Sequence, residues 1–343
     1  MRLSIVLPTN RVGPGPYARI LEACAWGSDD VEVIVRDNST NPKKRAFLEK
    51  IEAKNCRIVF AEPCQFFTNF RDVIELASGE FILTFSDDDF IDVQALDLIR
   101  ETIDKVRNDP SVVGILGDYL LTSTQSSSLL RFKGMDAGTP AERYMGYLTS
   151  GSVSVVLWAI HRREMLRDAA RLVKTLPMEF SFHDIVLTAI FLTCGRYVSL
   201  DRYLYHYAGI SNWNNVKSIY DGDYKYYAKV GLDTSAFRLH GLFCAFEGAK
   251  LILANQIAKN VSLEERIDFA RLWYSDMRRR LPRSLWIAET HTAADRLAMK
   301  VEDKWTREKD SLIFDEMLKD LTDVMALSNP QMAQTYYDYW SGI

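Results

Sequence analysis

At 343 residues the chain has room for about two domains, or for one large α/β domain with an appendage. Hydrophobic residues make up 48% and charged residues 26%, an ordinary globular balance that excludes disordered, collagenous and fibrous classes. Forty-two Lys and Arg against 46 Asp and Glu leave a net charge of -4, which gives no global electrostatic reason to expect nucleic acid as a partner.

Short apolar runs alternate with helical patterns through the first third. Leu3 to Leu7 reads as a strand, Tyr17 to Trp26 as a helix, Val31 to Val35 as a strand and Lys43 to Lys54 as a helix, the signature of a mostly parallel sheet. Arg57 to Phe60, a helix from Asn69 to Ala77, a strand from Glu80 to Phe85, and a helix from Val93 to Asn108 that stops before Pro110 continue it. The pattern is then mixed, with a strand at Val112 to Leu121, a Ser-rich turn at Ser123 to Ser128, an apolar run at Val153 to Ile160, a helix at Asp184 to Thr193 and a strand at Tyr197 to Leu200. Beyond Ser211 the chain is helical and aromatic-rich, with helices expected at Ala236 to Ala258, Leu263 to Arg280 and Arg296 to Met325. The expected division is an α/β domain over residues 1–215 and a helical domain over 216–343.

Cys24, Cys56, Cys64, Cys194 and Cys244 are odd in number, widely spaced and without a CxxC pair, so reduced and mostly buried thiols are expected. The N-terminus lacks a basic region followed by a long apolar one, and no apolar stretch approaches about 18 residues, so neither a signal peptide nor a bilayer span is expected. The expected address is cytoplasmic, including the inner face of a membrane.

Ligands of parallel α/β sheets bind beyond the carboxyl ends of the strands, where the polar residues of this segment fall. Ser86-Asp87-Asp88-Asp89 follows the fourth strand. Packed carboxylates repel unless solvent, a cation or hydrogen bonds compensate, and Mg²⁺ or Mn²⁺ commonly takes only one or two of them beside water and phosphates. A solvated acidic turn that caps the next helix is the plainer reading. Asp37-Asn38-Ser39-Thr40 follows the second strand, where an acidic side chain can accept from a nucleobase or ribose, although all these residues also favour turns. Asn10 to Pro16 is neither a P-loop nor GxGxxG and reads as a plain loop, which argues against a Walker NTPase or a dinucleotide fold.

These motifs resemble the family 2 nucleotide-sugar glycosyltransferases of GT-A fold. The resemblance rests on Ser4-Ile5-Val6-Leu7-Pro8-Thr9, Val33-Ile34-Val35-Arg36-Asp37-Asn38-Ser39, Gly79 to Leu83 leading into Ser86 to Asp89, and a later His183-Asp184, and it covers about residues 1–210. It implies an α/β Rossmann-like sheet, a Mn²⁺ or Mg²⁺ cofactor, and a nucleotide pocket lined by Pro8, Thr9, Asp37, Arg71 and Asp87, with Asp37 and Arg71 facing the base. It further implies metal binding by Asp88, with Asp89 and His206 as further candidates. Ser86 stands where many members carry an aspartate, which leaves open which of Asp87, Asp88 and Asp89 takes the ion.

Asp184 matches the family's general base, with His183 beside it. One carboxylate takes the acceptor hydroxyl's proton as that oxygen attacks the anomeric carbon, and a single displacement implies inversion. An acid in the first turn of a helix is the alternative. The resemblance assigns Gly151, Trp158 and His183 to the donor and acceptor pocket, though a Trp within Val155 to Trp158 is also a natural core residue.

In the helical part, Arg271, Arg278, Arg279, Arg280 and Arg283 interleave with Trp273, Tyr274 and Trp286. That pattern suits a membrane-surface helix, or a solvated basic face pairing with the acids at Glu302, Asp303, Asp315, Glu316 and Asp320. The aromatic tail Tyr336 to Trp340 is expected to dock, on its own domain or on a second subunit of a homo-oligomer. The resemblance as a whole implies a metal-dependent inverting transferase that moves sugar from a UDP- or dTDP-sugar to a glycan or lipid-linked acceptor, as in bacterial surface polysaccharide synthesis. A catalytically degenerate sugar-nucleotide or glycan-binding module is the alternative; a nucleotidyltransferase is disfavoured because the basic Gly-rich triphosphate loop is missing.

Overall fold

In the computed structural model, which describes residues 2–122, 127–150, 154–178, 183–207, 224–280, 292–307 and 312–343, the strand and helix alternation is realised as a sheet with crossover helices. β1 (Leu3–Thr9), β2 (Val31–Asp37), β3 (Cys56–Phe60) and β4 (Phe81–Thr84) pair in parallel in the order β3, β2, β1, β4. β1 and β4 are buried at every residue, as strands covered on both faces must be, and so carry continuous apolar runs. The crossovers are α1 (Pro14–Cys24), α2 (Pro42–Leu48) and α3 (Phe66–Glu75); Pro14 and Pro42 open their helices, where a missing N–H costs nothing.

The sheet extends through β5 (Phe90–Ile91), β6 (Val112–Thr122), β7 (Ser127–Leu130), β8 (Ile160–Arg162) and β9 (Arg196–Tyr207). β8 runs antiparallel between β4 and β6, β9 lies parallel to β6, and β5 closes the edge antiparallel to β9. The expected parallel sheet is therefore parallel across its N-terminal strands and mixed beyond them. Gly114 permits the close approach of β6 and β9, since a Cβ there would lie 2.3 Å from the Tyr197 ring. α4 (Leu96–Val106), α5 (Pro140–Thr149) and α6 (Arg163–Lys174) complete the helices of this part.

Several local expectations differ: of the Ser-rich turn expected over Ser123 to Ser128, Ser127 and Ser128 belong to β7 and 123–126 lie outside the described residues. α2 stops at Leu48, well short of Lys54, as Lys50 N and Ile51 N turn back to Phe47 O and Leu48 O; Asn55, at φ 50, then leads the chain into β3 with its carbonyl accepting from Val33 N. Ser154–Trp158 within the apolar run is a 3-10 turn, and the strand starts at Ile160. β9 continues to Tyr207, past Leu200.

The chain forms two compact units, one of residues 1–138, 142–171 and 194–211, the other of 139–141, 172–193 and 212–343. The whole sheet lies in the first. The second contains most of α7 (His183–Cys194), together with α8 (Thr234–Arg238), α9 (His240–Ala254), α10 (Leu263–Arg280), α11 (Ala293–Arg307), α12 (Phe314–Ala326) and α13 (Pro330–Ser341). The helix expected over Ala236 to Ala258 is interrupted at Leu239, and that over Arg296 to Met325 is two helices. Trp273 and Tyr274 are 1% and 2% exposed, and Trp273 Nε1 donates to Cys244 O at 3.0 Å, so both rings serve the core. Arg278 is buried and donates to Trp305 O at 2.9 Å, while Lys304 pairs with Glu316 and Asp320 at 2.6 Å each. Arg283 and Trp286 lie outside the described residues, as do the side chains of Arg279 and Arg280. The tail docks within its own unit, with Tyr336 and Trp340 fully buried on Phe246. All five cysteines are free thiols, Cys24 and Cys244 buried and the other three partly exposed. Among the described residues no helix is long and apolar enough to cross a membrane.

Glu247, on α9, is 1% exposed and accepts from Tyr336 Oη at 2.8 Å. Burial pushes its carboxyl up to about 8 from an ordinary 4.5, against the pull of that hydrogen bond. The folded chain then holds a proton that the unfolded chain releases, so stability is lost as pH rises from 4.5 toward 8, by at most about 1.4 kcal/mol per pH unit. Glu247→Gln removes this titration. Calorimetric Tm values should show the variant gaining on wild type between pH 5 and pH 8, whereas an equal difference at both pH values would exclude a buried, protonated Glu247.

Candidate active site

β1 and β2 end side by side, with Thr9 opposite Asp37 in register, and β4 leads into Asp87 on the other flank of β1. Thr9 Oγ1 donates to Asp87 Oδ2 and accepts from Lys44 Nζ at 2.7 Å, using a hydroxyl as both donor and acceptor. Lys44 Nζ also pairs with Asp37 Oδ1 at 2.9 Å, both side chains being almost completely buried. Ser39 donates to Asp37 through its N at 3.2 Å and its Oγ at 2.9 Å. The result is a buried polar chain, Asp37 to Lys44 to Thr9 to Asp87, across three strand ends.

Arg11, on the loop after β1, places Nη1 2.7 Å from Oδ1 of Asp87 and 2.7 Å from Oδ1 of Asp88. Burial works against the guanidinium's charge, but Asp88 and Asp87 outweigh it and raise its pKa. Ser86 Oγ also donates to Asp88 Oδ1. The three aspartates differ in exposure. The side chain of Asp87 is 3% exposed and that of Asp88 33%, while Asp89 is buried and accepts from Tyr205 Oη at 2.8 Å. Burial, reinforced by the charge of Asp89, holds the Tyr205 hydroxyl well above its ordinary pKa, so it stays a donor.

Trp158 is half-buried and stacks on Tyr205 with centroids 6.0 Å apart. His206 lies against Phe90, its register partner, with centroids 5.2 Å apart, and its Nε2 meets Thr122 Oγ1. Desolvation, then the charge of Arg19, lowers the pKa of His206 and favours neutral imidazole. Behind the β2 end, Asn38 Nδ2 donates to Cys64 O at 2.8 Å, Asn69 Nδ2 donates to Asn38 Oδ1 at 2.9 Å, and Arg36 pairs with Asp72 at 2.7 Å. Arg71, half-buried on α3, donates to Thr68 Oγ1 at 3.3 Å.

The first unit thus gathers Pro8, Thr9, Asp37, Asp87, Asp88 and Asp89, with Arg71, Trp158 and His206 on neighbouring elements. Asp184 belongs to the second unit, in the first turn of α7, where its Oδ1 accepts from Ile185 N at 2.8 Å. Gly151 and the His183 side chain lie outside the described residues. Among the described residues no group of three or more His, Cys, Asp and Glu is arranged around one point as a metal cage.

Two residues of this constellation carry no clear sequence signal. Arg11 sits in what reads as a plain loop, and Lys44 within Lys43-Lys44-Arg45 reads as solvated surface. The one hint for Lys44 is its place a helical turn before Leu48, since these are the two buried residues of α2.

No family model and no curated protein matches the chain. Among solved structures, TarS of S. aureus is similar over 100% of this chain and 55% of that chain, with 14% identity and a TM-score of 0.56. Its 1–349 segment in complex with UDP-GlcNAc matches over 100% of this chain and 92% of that chain, again with 14% identity and a TM-score of 0.56, and the same segment with UDP gives 0.53. The chain therefore spans about half the length of full TarS. Likeness at this identity establishes the architecture: the chain has the fold of the TarS 1–349 segment, an α/β sheet flanked by helices and followed by a helical region.

Proposed function

We propose that the chain is an inverting glycosyltransferase that moves a sugar from a nucleoside-diphosphate donor, of UDP or dTDP type, to a hydroxyl of a glycan or lipid-linked acceptor in bacterial surface polysaccharide synthesis. The observation that carries this reading is the convergence of Thr9, Asp37, Asp87 and Asp88 at adjoining strand ends, where sheets of this kind bind ligands. The fold shared with a segment solved with UDP-GlcNAc supports a UDP-sugar as donor.

In this reading Thr9, Asp37 and Arg71 hold the nucleoside, with Asp87 toward the ribose. Asp88 fits a divalent ion: its carboxylate is 33% exposed, offers hard oxygen donors and stands beside Asp87. Mg²⁺ and Mn²⁺ need only one or two protein carboxylates when water and phosphates complete the shell, so the small donor set is adequate. A bound ion there would offset the negative charge growing on the departing diphosphate. Asp89, held by Tyr205, fixes the turn that presents Asp88, and His206, bonded to Thr122, is a less direct candidate. Trp158 offers a half-exposed ring to a sugar face. Asp184 removes the acceptor hydroxyl's proton as its oxygen attacks the anomeric carbon opposite the leaving group, which inverts that centre.

The test is a thermal-shift panel of UDP, dTDP, GDP, CMP and their common sugars, each with and without Mn²⁺, because a ligand at 100 times its Kd stabilises the fold by about 2.7 kcal/mol. A shift for one diphosphate that grows with Mn²⁺ is expected, and Asp88→Ala should lose that growth together with turnover. Unchanged turnover in Asp88→Ala would remove the metal assignment, and no shift with any nucleotide would sink the transferase reading in favour of a glycan-binding module.

A further inference from the structure

We propose that Arg11 is a built-in counter-ion of this site: its guanidinium neutralises Asp87 and Asp88 in the free chain and passes to the nucleotide diphosphate when a divalent ion takes the carboxylates. The inference rests on the transferase reading and adds a coupling between the two ligands of the site.

The geometry is specific. One nitrogen, Nη1, lies 2.7 Å from an oxygen of each carboxylate. Among the described residues Arg11 is the cation that pairs with both, because Lys44 is committed to Asp37 and Thr9. Asp87 is almost fully buried, so water screens its repulsion from Asp88 poorly and a neighbouring cation stabilises the pair in the free state. The Arg11 side chain is itself 51% exposed, on a loop, and can leave without uncovering the core.

A divalent ion and a guanidinium on the same oxygens repel each other, so one displaces the other unless an anion joins them. A diphosphate is such an anion, and the planar fork of arginine suits phosphate oxygens. Arg11 therefore opposes the ion when it comes alone and supports it when it comes with nucleotide. Thermodynamic reciprocity requires nucleotide and ion to strengthen each other's binding by the same factor.

The test uses the full chain. Mn²⁺ is titrated with and without UDP, free ion being followed by electron paramagnetic resonance, and UDP is titrated by calorimetry in EDTA. Without UDP, Arg11→Gln should bind Mn²⁺ about tenfold more tightly than wild type, and in EDTA it should bind UDP about tenfold more weakly, each the equivalent of one modest charge interaction. UDP should enhance Mn²⁺ affinity less in Arg11→Gln than in wild type, and Arg11→Lys, which keeps the charge, should follow wild type in the Mn²⁺ titration. Unchanged or weaker Mn²⁺ binding by Arg11→Gln, or no Mn²⁺ binding by either protein, overturns the counter-ion role. If wild type binds Mn²⁺ but no UDP, the nucleotide reading fails, while the Mn²⁺ comparison still decides whether Arg11 screens the carboxylates.

Discussion

Asp184→Asn is expected to lower sugar transfer by about 10²–10⁴-fold, the usual effect of removing a general base, while UDP binding stays near the wild-type value. Asparagine keeps a side-chain acceptor for Ile185 N but cannot take a proton at neutral pH. The interaction of a carboxylate with the start of a helix is worth about 0.3–1 kcal/mol. That is too little to unfold α7, whose residues Val186, Leu187, Ala189, Ile190, Phe191 and Leu192 are all buried. Turnover, UDP affinity and Tm measured on one preparation separate the two roles of Asp184. Loss of turnover alone identifies the base. A parallel loss of UDP binding, or a fall in Tm that tracks the loss of activity, would make Asp184 a structural acid of the helix start.

The elements that carry the site were legible because their signals are local. β1 and β4 are apolar runs buried on both faces, and the polar residues that follow β1, β2 and β4 fall at strand ends whatever the rest of the chain does. What stayed hidden depends on partners remote in sequence. Asp87, Asp88 and Asp89 are indistinguishable as a run of three, and they separate only when Tyr205, 116 residues away, claims Asp89 and Arg11 claims the other two. Lys44 sits among basic neighbours, and its burial follows from Asp37 and Thr9 on two other elements. The same limit explains the basic and aromatic run on α10. Its composition suits an interface with lipid, yet Trp273 packs so tightly on α9 that a Cβ at Gly248 would lie 2.1 Å from its Nε1. Composition reports which side chains are present, and packing decides which of them meet water.

Lys44→Met is expected to destabilise the chain by about 3–5 kcal/mol, the range for removing one partner of a buried ion pair. Lys44 is fully buried, and Asp37 is 1% exposed. Methionine fills a similar volume but leaves the carboxylate with Ser39 as its remaining donor and deprives Thr9 Oγ1 of the ammonium it accepts from. The destabilisation is therefore mostly that of an uncompensated buried charge rather than of lost packing. A second substitution distinguishes these causes. Asp37→Asn combined with Lys44→Met removes the charge as well, and the double variant should recover much of the stability lost by Lys44→Met, giving a coupling within the range of about 0.5–3 kcal/mol found for contacting residues. Calorimetry of wild type, both single variants and the double variant yields that coupling directly. Additive losses would mean that Lys44 only fills space, whereas strong coupling makes it the partner that orients Asp37 beside Thr9. In the second case the double variant is expected to fold yet bind UDP poorly, because the stability of the strand ends is restored without the carboxylate proposed to read the nucleoside.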